Sequence, residues 1–308
     1  MVIENYRPGT MSRMGLDWPA LRRINPGIIY ASISGFGHES LPEYAGRPVY
    51  DIVAQAYSGL MSITGMEQGT PVRVGSSMGD ILAGHHAAIG ILAALHNRTL
   101  TGRGQWYDGS MIDSLFFTLE NAVVRYTAKG DIAHPLGTAH PTIAPFQAFP
   151  TRDNWIIIAI GSDKLWVELC RVLGREDLVN DARFQTNQLR SENRVALIPI
   201  LTDVLAAKTT GEWVDFFNQH EIPCSRVNNM QQICEDPHIK ARNMLVEIDQ
   251  PHMGRMKIAG SPFHLSETPG GVYRPAPALR EHTEEVLVSL LKMPPDEIQR
   301  LRQEGVIN

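Results

Sequence analysis

The chain has 308 residues, 43% of them hydrophobic and 20% charged, with a formal net charge of −5. That supplies apolar material for one large or two moderate cores and excludes a disordered chain. Mild acidity without any Lys/Arg run excludes the electrostatic footprint of a nucleic-acid binder.

No apolar run free of polar residues reaches membrane-spanning length; the longest, 81–95, carries His85 and His86. Residues 1–8 are polar and do not read as a signal peptide. Cys170, Cys224 and Cys234 have no CxxC spacing, so a reduced, cytoplasmic chain without membrane association is expected.

In chain order, the start opens on an apolar pair followed by "NYRPG", with no leading strand. A strand is predicted at 28–34, closed by glycines, and a mostly buried helix at 50–65. "VRVG" at 72–75 reads as a short strand. Residues 80–97 form an Ala/Ile/Leu-rich helix whose apolar residues run all round, which predicts packing on most sides. "TGRGQ" at 101–105 is a turn, and 110–128 another helix.

Four prolines and little periodicity mark 134–154 as a boundary, followed by a buried strand at 155–161. Helices are predicted at 164–173, 192–206 and 211–220, then a strand at 222–228 and a short helix stopped by Pro237. Residues 251–277 read as loop with brief strands, and two capped helices at 280–291 and 294–306 close the chain. Strands mixed with helices argue for an α/β fold.

The chemistry concentrates in "GSSMGD" at 75–80. A strand, G-x-S-x-G and a helix is the setting of a serine nucleophile at Ser77. Against it, no oxyanion-hole segment precedes the serine, and 74 residues are too few for the strands that come before such an elbow. Asp80 most often would be a helix cap. The same place suits a carboxylate nucleophile, because the helix N-terminus favours its ionised form and an ionised carboxylate attacks activated acyl groups. His85 and His86 face different sides of a helix and cannot chelate together, so packing is the simpler role. Cys170 reads as core, and Asp113 as a surface or packing aspartate.

Taken together, a series of blocks resembles the family III CoA-transferases, the CaiB/BaiF group that includes formyl-CoA transferase and carnitine CoA-transferase. They include "VIENYRPGTMSRMGL" at 2–16, "GRPVYDIVAQAYSGLMSITG" at 46–65, "GDILAGHHAAIGILAAL" at 79–95 and "GTAHPTIAPFQAF" at 137–149. "FQTNQLRSENR" at 184–194 and "IPCSRVNNMQQICEDP" at 222–237 extend the resemblance over essentially the whole chain.

The resemblance implies that Asp80, in the "GD" pair, is the catalytic nucleophile and Ser77 a bystander. It implies coenzyme A contacts at Asn5, Tyr6, Arg13 and Met14, and an acyl pocket lined by Tyr50 and Asp51. Coenzyme A would enter as a substrate thioester, with no prosthetic group and no metal. The implied fold is a Rossmann-like large domain at 1–137, a smaller α/β domain at 138–236 and a return to the first at 237–308, in an interlocked homodimer.

The related α-methylacyl-CoA racemases carry histidine where Tyr50 stands, and tyrosine has the wrong pKa for a base at neutral pH. Two departures stand out. The upstream segment with which family members begin is absent, so a silent CoA- or partner-binding fragment is a further alternative. The glycine-rich loop of formyl-CoA transferase has no counterpart after Ala128, which argues against an oxalate substrate. The 137–149 block looks most like members that use succinyl-CoA and small dicarboxylates.

Overall fold

A computed structural model describes residues 1–307 and divides into two compact units, Met1–Arg226 and Val227–Asn308.

The first unit begins with a parallel sheet in the order β1 (Val2–Glu4), β2 (Tyr30–Ser34) and β3 (Trp106–Ser110). Ile3 pairs with Ala31, and Ala31 with Tyr107. β1 and β3 were not expected. Each is short, and pairing with the apolar β2 makes it a strand. Parallel pairing needs crossovers. The Trp18–Ile24 helix lies between β1 and β2, and the 24-residue Met78–Thr101 helix between β2 and β3.

The long helix buries Gly79, Ala83, Ala87, Ile91 and Ala94, a stripe at helical spacing in which all but Ile91 are small. The stripe packs beside Ile29 and Ala31 of the sheet region and beside Ala54 and Leu115. Gly90 is required by close approach, since a Cβ there would meet the Tyr107 ring at 2.5 Å. The opposite face is not packed: Ile89 is 64% exposed and Leu92 65%. The expectation of packing on most sides therefore fails, because apolar composition alone does not say which face finds a partner. By length and composition alone this 24-residue helix is long and apolar enough to cross a membrane, a property that the core helix of a soluble protein shares.

The helix predicted at 50–65 is two helices, Asp51–Tyr57 and Leu60–Ile63, parted where Gly59 takes φ 95°. The helix predicted at 110–128 likewise divides into Met111–Phe117 and Glu120–Lys129. Residues 72–75 form no strand, having no neighbouring strand to pair with.

The later part of the first unit is an antiparallel sheet in the order β4 (Phe146–Pro150), β5 (Trp155–Ala159) and β6 (Cys224–Arg226). Alternate residues of β5, Ile156 and Ile158, face a core shared with Trp166, Leu169, Leu197, Leu201 and Phe217 of the surrounding helices. Cys170 belongs to this core, and burial pushes its thiol up to about 12, in keeping with an inert packing role. Side-chain caps start some of these helices: Ser162 accepts from the Leu165 N–H, and Thr209 with Glu212 forms a reciprocal capping box.

The second unit has a hairpin of β7 (Leu245–Gln250) and β8 (Gly254–Ala259). Its helices are Met230–Glu235, Pro237–Ala241, Thr283–Ser289 and Pro295–Gln303. Pro295 leads into the last helix and Gly305, at φ 68°, follows it.

Candidate active site

Asp80 sits at the third position of the Met78–Thr101 helix, not at its cap. The cap position belongs to Ser77, whose side chain caps nothing, and no strand leads into it. The strand-turn-helix setting that a serine elbow demands is therefore missing.

Two buried side chains of the Asp51–Tyr57 helix anchor this helix start. Asp51 Oδ1 accepts the Gly79 N–H at 2.8 Å, and Asp51 Oδ2 accepts from Gln55 Nε2 at 2.8 Å. The Gln55 amide, 0% exposed, also donates to the Ser76 carbonyl at 3.3 Å and accepts from the Val74 N–H at 2.9 Å. One turn of helix thus holds both the 74–76 loop and the first turn behind Asp80. Arg73 approaches Asp51 Oδ2 at 3.9 Å from a half-exposed position. Gly79 admits this approach, since a Cβ there would stand 3.2 Å from Asp51 Oδ1.

The Asp80 carboxyl is exposed on the cavity side and held above its ordinary value of 3.8, first by desolvation and then by the charge of Asp51. The helix start was expected to favour the ionised form of this carboxylate; desolvation and the like charge of Asp51 act in the opposite direction. The Gly79 N–H, a candidate oxyanion donor, is already committed to Asp51.

A cavity of about 450 Å³ lies over Asp80. Asn5, Tyr6 and Tyr50 line it, together with Asp80, so four of the predicted site residues meet there. Tyr50 is 80% exposed and stands at the start of its helix. The loop bearing Asn5 and Tyr6 is fixed from below by Glu4, a buried carboxylate whose Oε2 accepts the Tyr6 N–H at 2.8 Å. Its Oε1 lies 3.3 Å from His38 Nε2. Asp108 on β3 in turn accepts the backbone N–H groups of His38 and Glu39.

Three predicted residues lie elsewhere. Asp51, expected in the acyl pocket, is buried beneath the floor and does not line the cavity, because its oxygens are taken by Gly79 and Gln55. Arg13 and Met14 are exposed outside the lining, Arg13 donating to Thr10 Oγ1 at 3.0 Å. Sequence reasoning missed Arg7 and Arg47, which line the cavity, and Gln55. Both arginines were visible inside the quoted "NYRPG" and "GRPVY" blocks. Nothing in the sequence marks Gln55, whose role depends on a loop 19 residues away.

A carboxylate on a braced helix start, facing a cavity with two cations, suits attack on an acyl group carried by an anionic ligand. The sequence profile of the family described as CoA-transferase family III matches residues 1–283. The chain belongs to this family.

Among its relatives is the succinyl-CoA–D-citramalate CoA-transferase of Chloroflexus aurantiacus, 33% identical over 100% of this chain and 76% of the relative. The human succinyl-CoA:glutarate CoA-transferase is 34% identical over 99% of this chain and 69% of its own length. A crystal structure of a CaiB/BaiF family protein from Brucella suis superposes with a TM-score of 0.79 at 33% identity, covering 94% of this chain and 75% of that one. This family III chain is therefore a CoA-transferase of the α/β CaiB/BaiF fold, moving CoA from an acyl-CoA to a carboxylate.

Proposed function

We propose that the chain transfers CoA from succinyl-CoA to a small dicarboxylic acid, with Asp80 as covalent nucleophile. The observation that carries this reading is the position of Asp80. Among the described residues it is the one carboxylate lining the cavity, on a helix start fixed by Asp51 and Gln55. Two relatives named for succinyl-CoA transfer to citramalate and to glutarate support the choice of donor and acceptor class.

The chemistry runs through carboxyl exchange. An Asp80 oxygen attacks the thioester carbonyl of the donor, the C–S bond breaks and CoA leaves as the thiolate, giving a mixed anhydride. The thiolate attacks the Asp80 carbonyl carbon, and the donor departs as free carboxylate. The acceptor carboxylate attacks the resulting aspartyl thioester and releases the thiolate again. The thiolate then attacks the acceptor side of the second anhydride and frees Asp80. Each step exchanges one activated carbonyl for another, so thioester energy is kept as long as water is excluded. Asn5 and Tyr6, on the cavity wall, are suited to hold the CoA end of the donor, and Tyr50 the acyl end.

The test is chemical trapping on folded protein. After incubation with succinyl-CoA and borohydride, mass spectrometry of the peptide bearing Asp80 is expected to show a CoA adduct or the reduced alcohol at that residue. An unmodified Asp80 across several acyl-CoAs would overturn the proposal.

A further inference from the structure

We infer that Arg47 is the specificity-determining residue for diacids: its guanidinium receives the carboxylate of the substrate that does not react. This rests on the transferase reading above and names what selects the acid.

Among the described residues the lining holds two cations, Arg7 and Arg47, and one anion, Asp80. Once Asp80 is acylated its charge is gone, and Arg47, on the acyl side, faces no carboxylate of the lining just when an anionic acceptor must enter. A monocarboxylate brings only the group that attacks. A dicarboxylate brings a second, which has to find a partner or lose its hydration uncompensated.

Of the two arginines, Arg47 is the one already arranged for this. Its guanidinium carbon lies 4.3 Å from the centre of the Tyr44 ring. That ring is packed in turn on Phe36 at 5.0 Å and Tyr57 at 6.0 Å. Arg47 Nε donates to the Glu43 carbonyl at 2.6 Å. These contacts hold the plane of the guanidinium while using one of its donors. Among the described residues no carboxylate pairs with it, so both Nη groups stay available for a two-pronged contact with an incoming carboxylate. Arg7 has no comparable ring or hydrogen-bond support and belongs to the Asn5–Tyr6 loop. Arg47 stands three residues before Tyr50, on the wall where the acyl end would lie.

The experiment compares two acceptors of equal chain length, glutarate and pentanoate, with succinyl-CoA as donor. In the Arg47→Gln protein the glutarate-to-pentanoate ratio of kcat/KM is expected to fall about 10- to 100-fold, the scale of a charge-assisted hydrogen bond. The loss should appear chiefly in KM for glutarate, with partial recovery in Arg47→Lys. A ratio unchanged in Arg47→Gln, or lowered by Arg7→Gln instead, would overturn the assignment, as would a wild-type enzyme that does not prefer the diacid. Arg47 is exposed, and circular dichroism confirms that each variant is folded before it is assayed.

Calorimetric titration of glutarate and pentanoate into wild type and Arg47→Gln separates this inference from the one it rests on. If no acyl-CoA supports transfer but glutarate binding depends on Arg47, the reaction is wrong and the diacid site stands. If transfer proceeds and binding ignores Arg47, the reverse holds.

Discussion

The two halves of the first unit are built on different principles. Around β5 the interior is made of large apolar side chains, Trp166, Phe149, Phe184 and Phe217 among them, each fully buried. Three of the helices there start on side-chain caps, at Ser162, Thr186 and Thr209, while those at Asp177–Asn180 and Arg194–Leu205 do not. Around Asp80 the buried residues are alanines and aliphatic side chains, Ala54 and Ala83 beside Met111, Ile112 and Leu115, with no buried aromatic ring in that cluster. The helix starts at Tyr50, Gly59 and Ser77, which frame the site, have no side-chain cap, although the neighbouring Met111–Phe117 helix starts on Ser110. What fixes that region is polar: Asp51 and Gln55 beneath the site, Glu4 beneath the Asn5–Tyr6 loop. The first region obtains stability from area removed from water. The second accepts desolvated charge in order to hold reacting groups at fixed positions.

That contrast breaks most sharply at Asp80. Asp80→Asn is expected to lower transfer by about 10⁴- to 10⁶-fold, as loss of a covalent nucleophile does. The same change should leave the melting temperature at neutral pH equal or higher. Because the folded state raises the Asp80 pKa, the stability linked to its proton is present at low pH and lost as pH rises through the folded value. Asparagine removes that penalty, so the difference between the two proteins should vanish below the ordinary carboxylate range. A marked destabilisation at pH 7, read by thermal unfolding, would contradict the picture.

In the other region the signs reverse. Phe217 is 0% exposed and stacks on Trp213 with ring centres 5.1 Å apart. Phe217→Ala should cost about 3–5 kcal/mol in urea unfolding by opening a cavity, with little change in turnover per folded molecule. Gln55→Met falls between the two. It keeps the volume but strips the Val74 N–H of its acceptor and Asp51 Oδ2 of its donor. About 1–3 kcal/mol of stability should be lost, and turnover with it.

The two regions also differ in how far they could be read in advance. The β5 strand and the helices at 163–172 and 210–219 were legible because periodicity and caps agree there. The Met78–Thr101 helix was legible as a helix, yet its exposed Ile89–Leu92 face was not, since composition does not reveal a missing neighbour. β1, β3, β4 and β7 were missed because short strands that lack a continuous apolar run such as that of β5 are marked only by their pairing. Residues 72–75 failed in the opposite sense, strand-like in composition but without a partner. At the site, Asp80 stood out by its place after glycine at a helix start. Arg47 and Gln55 did not, because a ring stack and a loop anchor arise only when distant segments meet.

Asp51 tests the smallest of these effects and the one most specific to the site. Its charge is the second cause, after desolvation, of the raised Asp80 pKa. The proposed nucleophile must be ionised, so the acid limb of kcat/KM against pH should lie above the ordinary aspartate value in the wild type. Asp51→Asn removes the like charge while keeping an oxygen for the Gly79 N–H. The acid limb should therefore move to lower pH, but only part of the way, because desolvation remains. The substitution also turns an acceptor into a donor opposite Gln55 Nε2, which cannot simply rotate because its own oxygen holds Val74. Turnover on the plateau should fall even as the limb moves down. If Asp51 acted only as structural support, the plateau would fall and the limb would stay where it is. If it touched the acyl group, KM for the acid would rise instead. A pH profile measured at several acceptor concentrations distinguishes all three.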